Sequence, residues 1–122
     1  MNAIGGKLKE KRLFTRIKLN KPLRFQVRGT PEFNTAVGRN ISNGGVSFIN
    51  NSFIAPQTLL MLELNILSQI LNPIGKVAWS SPLPHSNRYH LGIEFLEFNQ
   101  EEKRYLGDYI NLQTANNFNL LV

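Results

Sequence analysis

Residues 35–48 read Thr-Ala-Val-Gly-Arg-Asn-Ile-Ser-Asn-Gly-Gly-Val-Ser-Phe. The centre of this stretch decides the fold. Asn43-Gly44 supplies two residues that tolerate positive φ, as a tight hairpin turn requires. The segment from about Thr35 to Ile41 is read as the incoming strand, and Val46 and Phe48 belong to the returning one. Antiparallel pairing is therefore the starting expectation.

Upstream, Leu23, Phe25 and Val27 alternate with Arg24, Gln26 and Arg28, so one face of a strand is apolar and the other basic. Gly29-Thr30-Pro31 ends that run. Downstream, Leu60, Leu62, Leu64 and Ile66 alternate with Leu59, Met61, Glu63 and Asn65, which makes Thr58 to Ile66 the clearest strand in the chain. Ile74 to Ser80 and Tyr89 to Phe95 read as two more, joined by a polar, Pro-rich connection. At Asn99 the period changes. Asn is a good helix N-cap, Glu101 and Glu102 suit the positive end of a helix dipole, and Tyr105, Leu106, Tyr109 and Ile110 recur at helical spacing. A helix of about three turns is expected there, followed by a tail over residues 113–122. Short strands followed by one helix indicate an all-β domain, a small antiparallel barrel or curled sheet with the helix packed against it.

The whole chain is 122 residues, 42% hydrophobic and 18% charged, which is the composition of one globular domain. Without Cys, disulfide frameworks, thiolate metal sites and thiol nucleophiles are excluded. The first residues lack the apolar core of a secretory signal, and Leu59 to Leu71 is too short and too polar to span a bilayer, so a cytoplasmic protein without membrane insertion is expected. Catalytic patterns are also missing. His85 lies in a Pro/Ser/Asn loop, His90 and Glu94 read as a solvated pair on one strand face, and neither a metal-binding spacing nor a phosphate loop occurs. A non-enzyme without metal or cofactor is the expectation.

Charge is unevenly placed. Residues 1–39 hold ten of the 14 Lys+Arg and two of the 8 Asp+Glu, within a formal net charge of +6. Residues 1–21 read as a flexible basic arm, and within it Arg12 and Arg16 stand four apart. Asn40 and Ser42, two apart at a strand end, project to one side, while Gly44 and Gly45 let a flat group approach the backbone. Arginine offers a planar fork for phosphate or for the guanine edge, and Asn and Ser hydrogen-bond to base edges. A small ligand carrying both phosphate and purine fits that combination. Trp79, the only Trp, is read as a core or rim residue, with stacking near the ligand as the alternative.

Arg12-x-x-x-Arg16 ahead of the first strand, followed by Asn40-x-Ser42-x-x-Gly45, resembles the bipartite signature of PilZ domains, bacterial receptors for cyclic di-GMP. Gly75-Lys76-Val77-Ala78-Trp79 and Tyr89-His90-Leu91-Gly92-Ile93-Glu94-Phe95 resemble later strands of that family, so the likeness covers residues 9–112. It implies a six-stranded antiparallel barrel with a C-terminal helix, spanning residues 22–112. It further implies cyclic di-GMP binding through Arg12, Arg16, Asn40, Ser42 and Gly45, with Lys11, Arg39, Gly44 and Trp79 as further candidates. The role implied is that of a second-messenger receptor whose arm orders on the ligand and signals to a downstream protein in motility, biofilm or exopolysaccharide control. Leu13 stands where many members carry another Arg, and Asn40 replaces the commoner Asp. Two rival readings remain at this point: a protein-interaction module of the same fold that has lost the nucleotide, and a nucleic-acid-binding barrel. Against the latter, the strand aromatics alternate as a core does and are not interleaved with Lys or Arg.

Overall fold

The structure, a computed structural model, describes residues 15–121, with side chains described as far as residue 115. Eight strands precede one helix: β1 Ile17–Lys18, β2 Pro22–Val27, β3 Phe33–Ile41, β4 Gly45–Asn50, β5 Leu59–Ile66, β6 Gln69–Leu71, β7 Ile74–Pro82, β8 Tyr89–Glu97 and α1 Gln100–Leu121. Every pairing is antiparallel. The order β3-β2-β5-β7-β8-β4 closes on itself through β3–β4, so six strands form a barrel while β1 lies beside β3 and β6 beside β5. Closure leaves no free edge along the ring.

Alternation decides what fills the barrel. Leu23 and Phe25 of β2, Leu60, Leu62, Leu64 and Ile66 of β5, and Leu91 and Ile93 of β8 are all buried, whereas Arg24 and Met61 between them face solvent. Phe25 and Phe48 stack across the interior with ring centroids 5.2 Å apart. The helix adds the fully buried Leu106 and Ile110 to the same core. Asn99 starts it as the spacing predicts: its Oδ1 accepts from the amides of Glu101 at 2.9 Å and Glu102 at 3.1 Å. Glu102 in turn accepts from the backbone N–H of Asn72 at 2.9 Å, and the Tyr105 hydroxyl donates to the carbonyl of Ile66 at 3.0 Å. Both contacts fix the helix against β5 and the residues that follow β6.

Three segments differ from the expectation. Ile17 and Leu19, within the stretch read as arm, are buried core residues, and Ile17 pairs with Ile41. The strand is only two residues long, too short for a period to register. The helix continues through the expected tail to Leu121. Residues 113–121 contain neither Gly nor Pro, so nothing in them stops a helix already nucleated. β6 was not expected either. It returns from β5 through Leu67-Ser68, with Leu67 at φ 55°, a turn made without Gly or Asn.

Two glycines have opposite roles. At Gly45, opposite Glu94 in the β4–β8 ladder, an added Cβ would overlap the carbonyl oxygen of Ile93. At Gly107, in the helix, the nearest atom to such a Cβ is the Asn43 side-chain oxygen at 3.5 Å, an ordinary contact. Gly45→Ala should therefore lower stability by about 1–3 kcal/mol through overpacking. Gly107→Ala should raise it by about 0.5–1 kcal/mol by removing helix entropy cost. Urea titration followed by far-UV circular dichroism measures both, and the two midpoints should move in opposite directions.

Candidate functional site

Strict alternation would turn Asn40 inward, because Ala36 and Gly38 of the same strand are buried. A bulge prevents this. Gly38 pairs with Phe48 and Asn40 with Ser47, leaving Arg39 as an extra residue in β3. Asn40 consequently faces outward and Ile41, completely buried, faces in. β7 repeats the device. Val77 pairs with Ile93 and Trp79 with Gly92, so Ala78 is extra and the indole is turned out of the barrel, 43% exposed. The rim-or-core reading of Trp79 is thus resolved by a bulge, which places it on the outer surface.

The registers then line up one row across four neighbouring strands: Asn40 on β3, Ser47 on β4, Gly92 on β8 and Trp79 on β7. Gly92 is bare because the Trp79 indole lies across it, where any Cβ would collide with the ring. This row floors an open cleft of about 540 Å³. Arg16 reaches it because the β1–β3 pairing, Ile17 opposite Ile41 and Lys18 opposite Asn40, sets the residue before Ile17 beside the Ser42 turn. On the far side the cleft is lined by Glu94, Phe98, and Gln100 and Lys103 from the first turn of α1. Glu94 lies 3.8 Å from Lys76 of β7, which offsets its charge. A second, smaller cleft of about 360 Å³ shares Asn40 and is bounded by Lys18, Asn20 and Arg39.

Of the residues singled out in the sequence, Arg16, Asn40, Ser42, Gly44, Gly45 and Trp79 line the main cleft together, and Arg39 lies in the adjoining one. Lys11 and Arg12 lie outside the described residues. Ser42 and Gly45 do more than face the cleft. The Ser42 hydroxyl accepts from the Gly44 amide at 3.2 Å, and the Ser42 amide donates to the Gly45 carbonyl at 2.8 Å, so Ser42 builds the turn. The approach that Gly45 permits is that of β8. Asn40 has no side-chain hydrogen bond among the described residues, leaving its amide free to take one. Sequence reading missed Ser47, Gly92, Gln100 and Lys103. Ser47 was within reach, since a tight turn at Asn43-Gly44 fixes the register that sets it opposite Asn40. Gln100 and Lys103 depend on how the helix packs, for which the linear sequence has no signal.

His90 also departs from the solvated reading. Its ring meets the Trp79 indole edge-on, with centroids 4.9 Å apart and planes at 89°, and its Nε2 is buried without a partner. Burial holds the imidazole below its ordinary value, and the Arg39 guanidinium pushes the same way.

A closed six-stranded barrel that carries an Arg/Asn/Ser/Gly cleft on its outer wall, with a helix following the last strand, defines a class of small binding domains. The chain belongs to the PilZ domain family, whose model matches residues 10–112. Among solved structures it is similar to the Bacillus subtilis inhibitor of motility MotI/DgrA, with TM-score 0.69 and 19% identity over 86% of this chain and 52% of that one. It is similar also to MrkH of K. pneumonia in complex with c-di-GMP (TM-score 0.67, 16% identity, 91% and 55% covered). A third is the PilZ domain of Escherichia coli YcgR with c-di-GMP (TM-score 0.66, 16% identity, 92% and 99% covered). The chain spans about half the length of MotI and MrkH. No curated protein matches the sequence significantly.

The lowered His90 value has a sign that can be checked. As pH falls below the ordinary imidazole value of about 6.5, the unfolded chain takes up the proton first. Stability present above that pH is then lost as pH falls through the lower folded value. Thermal melts between pH 7.5 and 5 should show a larger fall in Tm for the native chain than for His90→Gln.

Proposed function

We propose that this protein is a receptor for cyclic di-GMP that passes the signal to a downstream protein. The observation that carries this is the convergence, on one outer-wall cleft, of Arg16, Asn40, the Ser42–Gly45 turn and Trp79. Each supplies a different part of a cyclic dinucleotide's requirement. Arg16 is exposed at the rim, where a guanidinium can grip a phosphate in bidentate fashion or stack on guanine. Arg12, four residues earlier, is the second guanidinium of this reading, with Lys11 beside it. Asn40 offers an amide to a base edge, and Trp79 offers an aromatic surface. Lys103 adds a cation from the helix, and Arg39 with Lys18 extends the positive field toward the second cleft.

The similar structures of MrkH and of the YcgR PilZ domain, both with c-di-GMP, support the choice of ligand, and MotI, an inhibitor of motility, supports motility control as the setting. In this reading the protein is not an enzyme and needs no cofactor. The output is the surface formed when residues 1–21 and the cleft hold the same dinucleotide, and the partner is a protein that recognises it.

Isothermal titration of the purified chain with cyclic di-GMP is the direct test. Saturable binding is expected, with affinity about 10- to 100-fold weaker for Arg16→Ala, the range for removing a charge-assisted contact. Arg12→Ala should weaken binding comparably, whereas Arg28→Ala, in the turn that follows β2, should not. No heat up to high micromolar nucleotide would overturn the proposal.

A further inference from the structure

Buried hydroxyls in native proteins nearly always have a hydrogen-bond partner, and one left without it destabilises the fold. Among the described residues two such hydroxyls occur, Ser47 Oγ and Ser80 Oγ. Their settings differ. Ser80 pairs with the fully buried Leu91, which itself pairs with Phe48, so Ser80 belongs to the inward row of the sheet. Ser47 belongs to the outward row. It is 5% exposed, lines the main cleft, and stands in register between Asn40 on one side and bare Gly92 on the other.

Ser47 lies on the outer wall of the barrel with its hydroxyl covered by its neighbours, so a ligand reaches it through rotation of the side chain toward the cleft. The Arg39 bulge brings Asn40 to the outer face beside it, and the absence of a side chain at Gly92 lets the Trp79 indole cross at the same level. A packed barrel wall does not need a polar side chain there. The flanking β4 residues Val46 and Phe48 are core, and Ile49, outward like Ser47, is apolar. Ala in place of Ser47 would satisfy the wall better than Ser does.

We infer that Ser47 is a ligand-contacting residue, whose hydroxyl hydrogen-bonds the base edge of the nucleotide held between Asn40 and Trp79. This rests on the receptor reading above and adds a residue to it. The base, not the phosphate, is assigned because Ser47 sits on the floor of the cleft, whereas the cations Arg16 and Lys103 come from outside the barrel strands. A hydroxyl both donates and accepts, and a rotation about Cα–Cβ redirects it without moving the backbone.

The inference requires Ser47 to act on stability and on binding with opposite signs. Thermal melts without nucleotide and isothermal titration with cyclic di-GMP, on the native chain, Ser47→Ala and Ser80→Ala, separate the cases. Ser47→Ala should raise Tm by about 2–6 °C and weaken binding about five- to tenfold. Ser80→Ala should also not lower Tm, and should leave the affinity unchanged. If the native chain binds and Ser47→Ala binds within twofold of it, the inference falls and the receptor reading stands. If Ser47→Ala loses several degrees of Tm, or if Ser80→Ala weakens binding equally, the hydroxyl is structural and the inference falls as well. A native chain that gives no heat overturns the receptor reading and this inference with it.

Discussion

Closing the sheet is the constraint on which the rest of the molecule depends. Each of the six ring strands must pair on both sides, so the β4–β8 ladder has to form at full backbone proximity from Gly45↔Glu94 to Asn50↔Tyr89. At Gly45 the Cα faces the Ile93 carbonyl with no room for a Cβ. The Phe95 amide then donates to the Gly44 carbonyl at 3.0 Å, tying the hairpin turn itself to β8. The glycine that the sequence motif singles out is thus also the one that lets β4 and β8 approach at this point.

Once the ring is closed, the inside is packed by alternation, and strict alternation would leave both Asn40 and Trp79 facing it. The bulges at Arg39 and Ala78 change that by slipping two strands by one residue. Each slip exports a residue that strict alternation assigns to the core, an amide in one case and an indole in the other, and the two land on one row four strands wide. β1 supplies the remaining component. Two residues of pairing are little energy, but Ile17 and Leu19 are buried, and that burial anchors the chain just after Arg16.

The fold was legible where a period ran long enough. The alternation in β2 and β5, the Asn43-Gly44 turn and the Asn99 cap all lie where the sequence indicates, but neither Asn43 nor Gly44 takes the positive φ expected of it, and the turn is held instead by the Ser42 hydroxyl and amide. Of the candidate site, the grouping of Arg16, Asn40, Ser42 and Gly45 was legible, since they share one cleft, while Arg12 lies outside the described residues. What stayed hidden is whatever depends on the two bulges. Nothing near Arg39 or Ala78 announces an extra residue, so the direction of Trp79 stayed undecided and His90 was read as solvated although it packs against that indole. The helix end was hidden for a different reason, since its continuation past Leu112 follows from propagation and the absence of a stop.

The electrostatics of the cleft follow from this geometry more than from the net charge of +6. Glu94 is the acid lining it, and Lys76 sits 3.8 Å from that carboxylate, so the fields of Arg16 and Lys103 are little opposed. Arg39 and Lys18 stand in the adjoining cleft, sharing Asn40 as a common wall. Exposed charges of this kind are screened beyond about 8 Å at physiological salt, which confines the attraction to a ligand close to the barrel wall. A diffuse polyanion would meet those charges singly. In the receptor reading a compact dianion with two base faces would meet them together with the Asn40 amide and the Trp79 indole, on the row that the two bulges assemble.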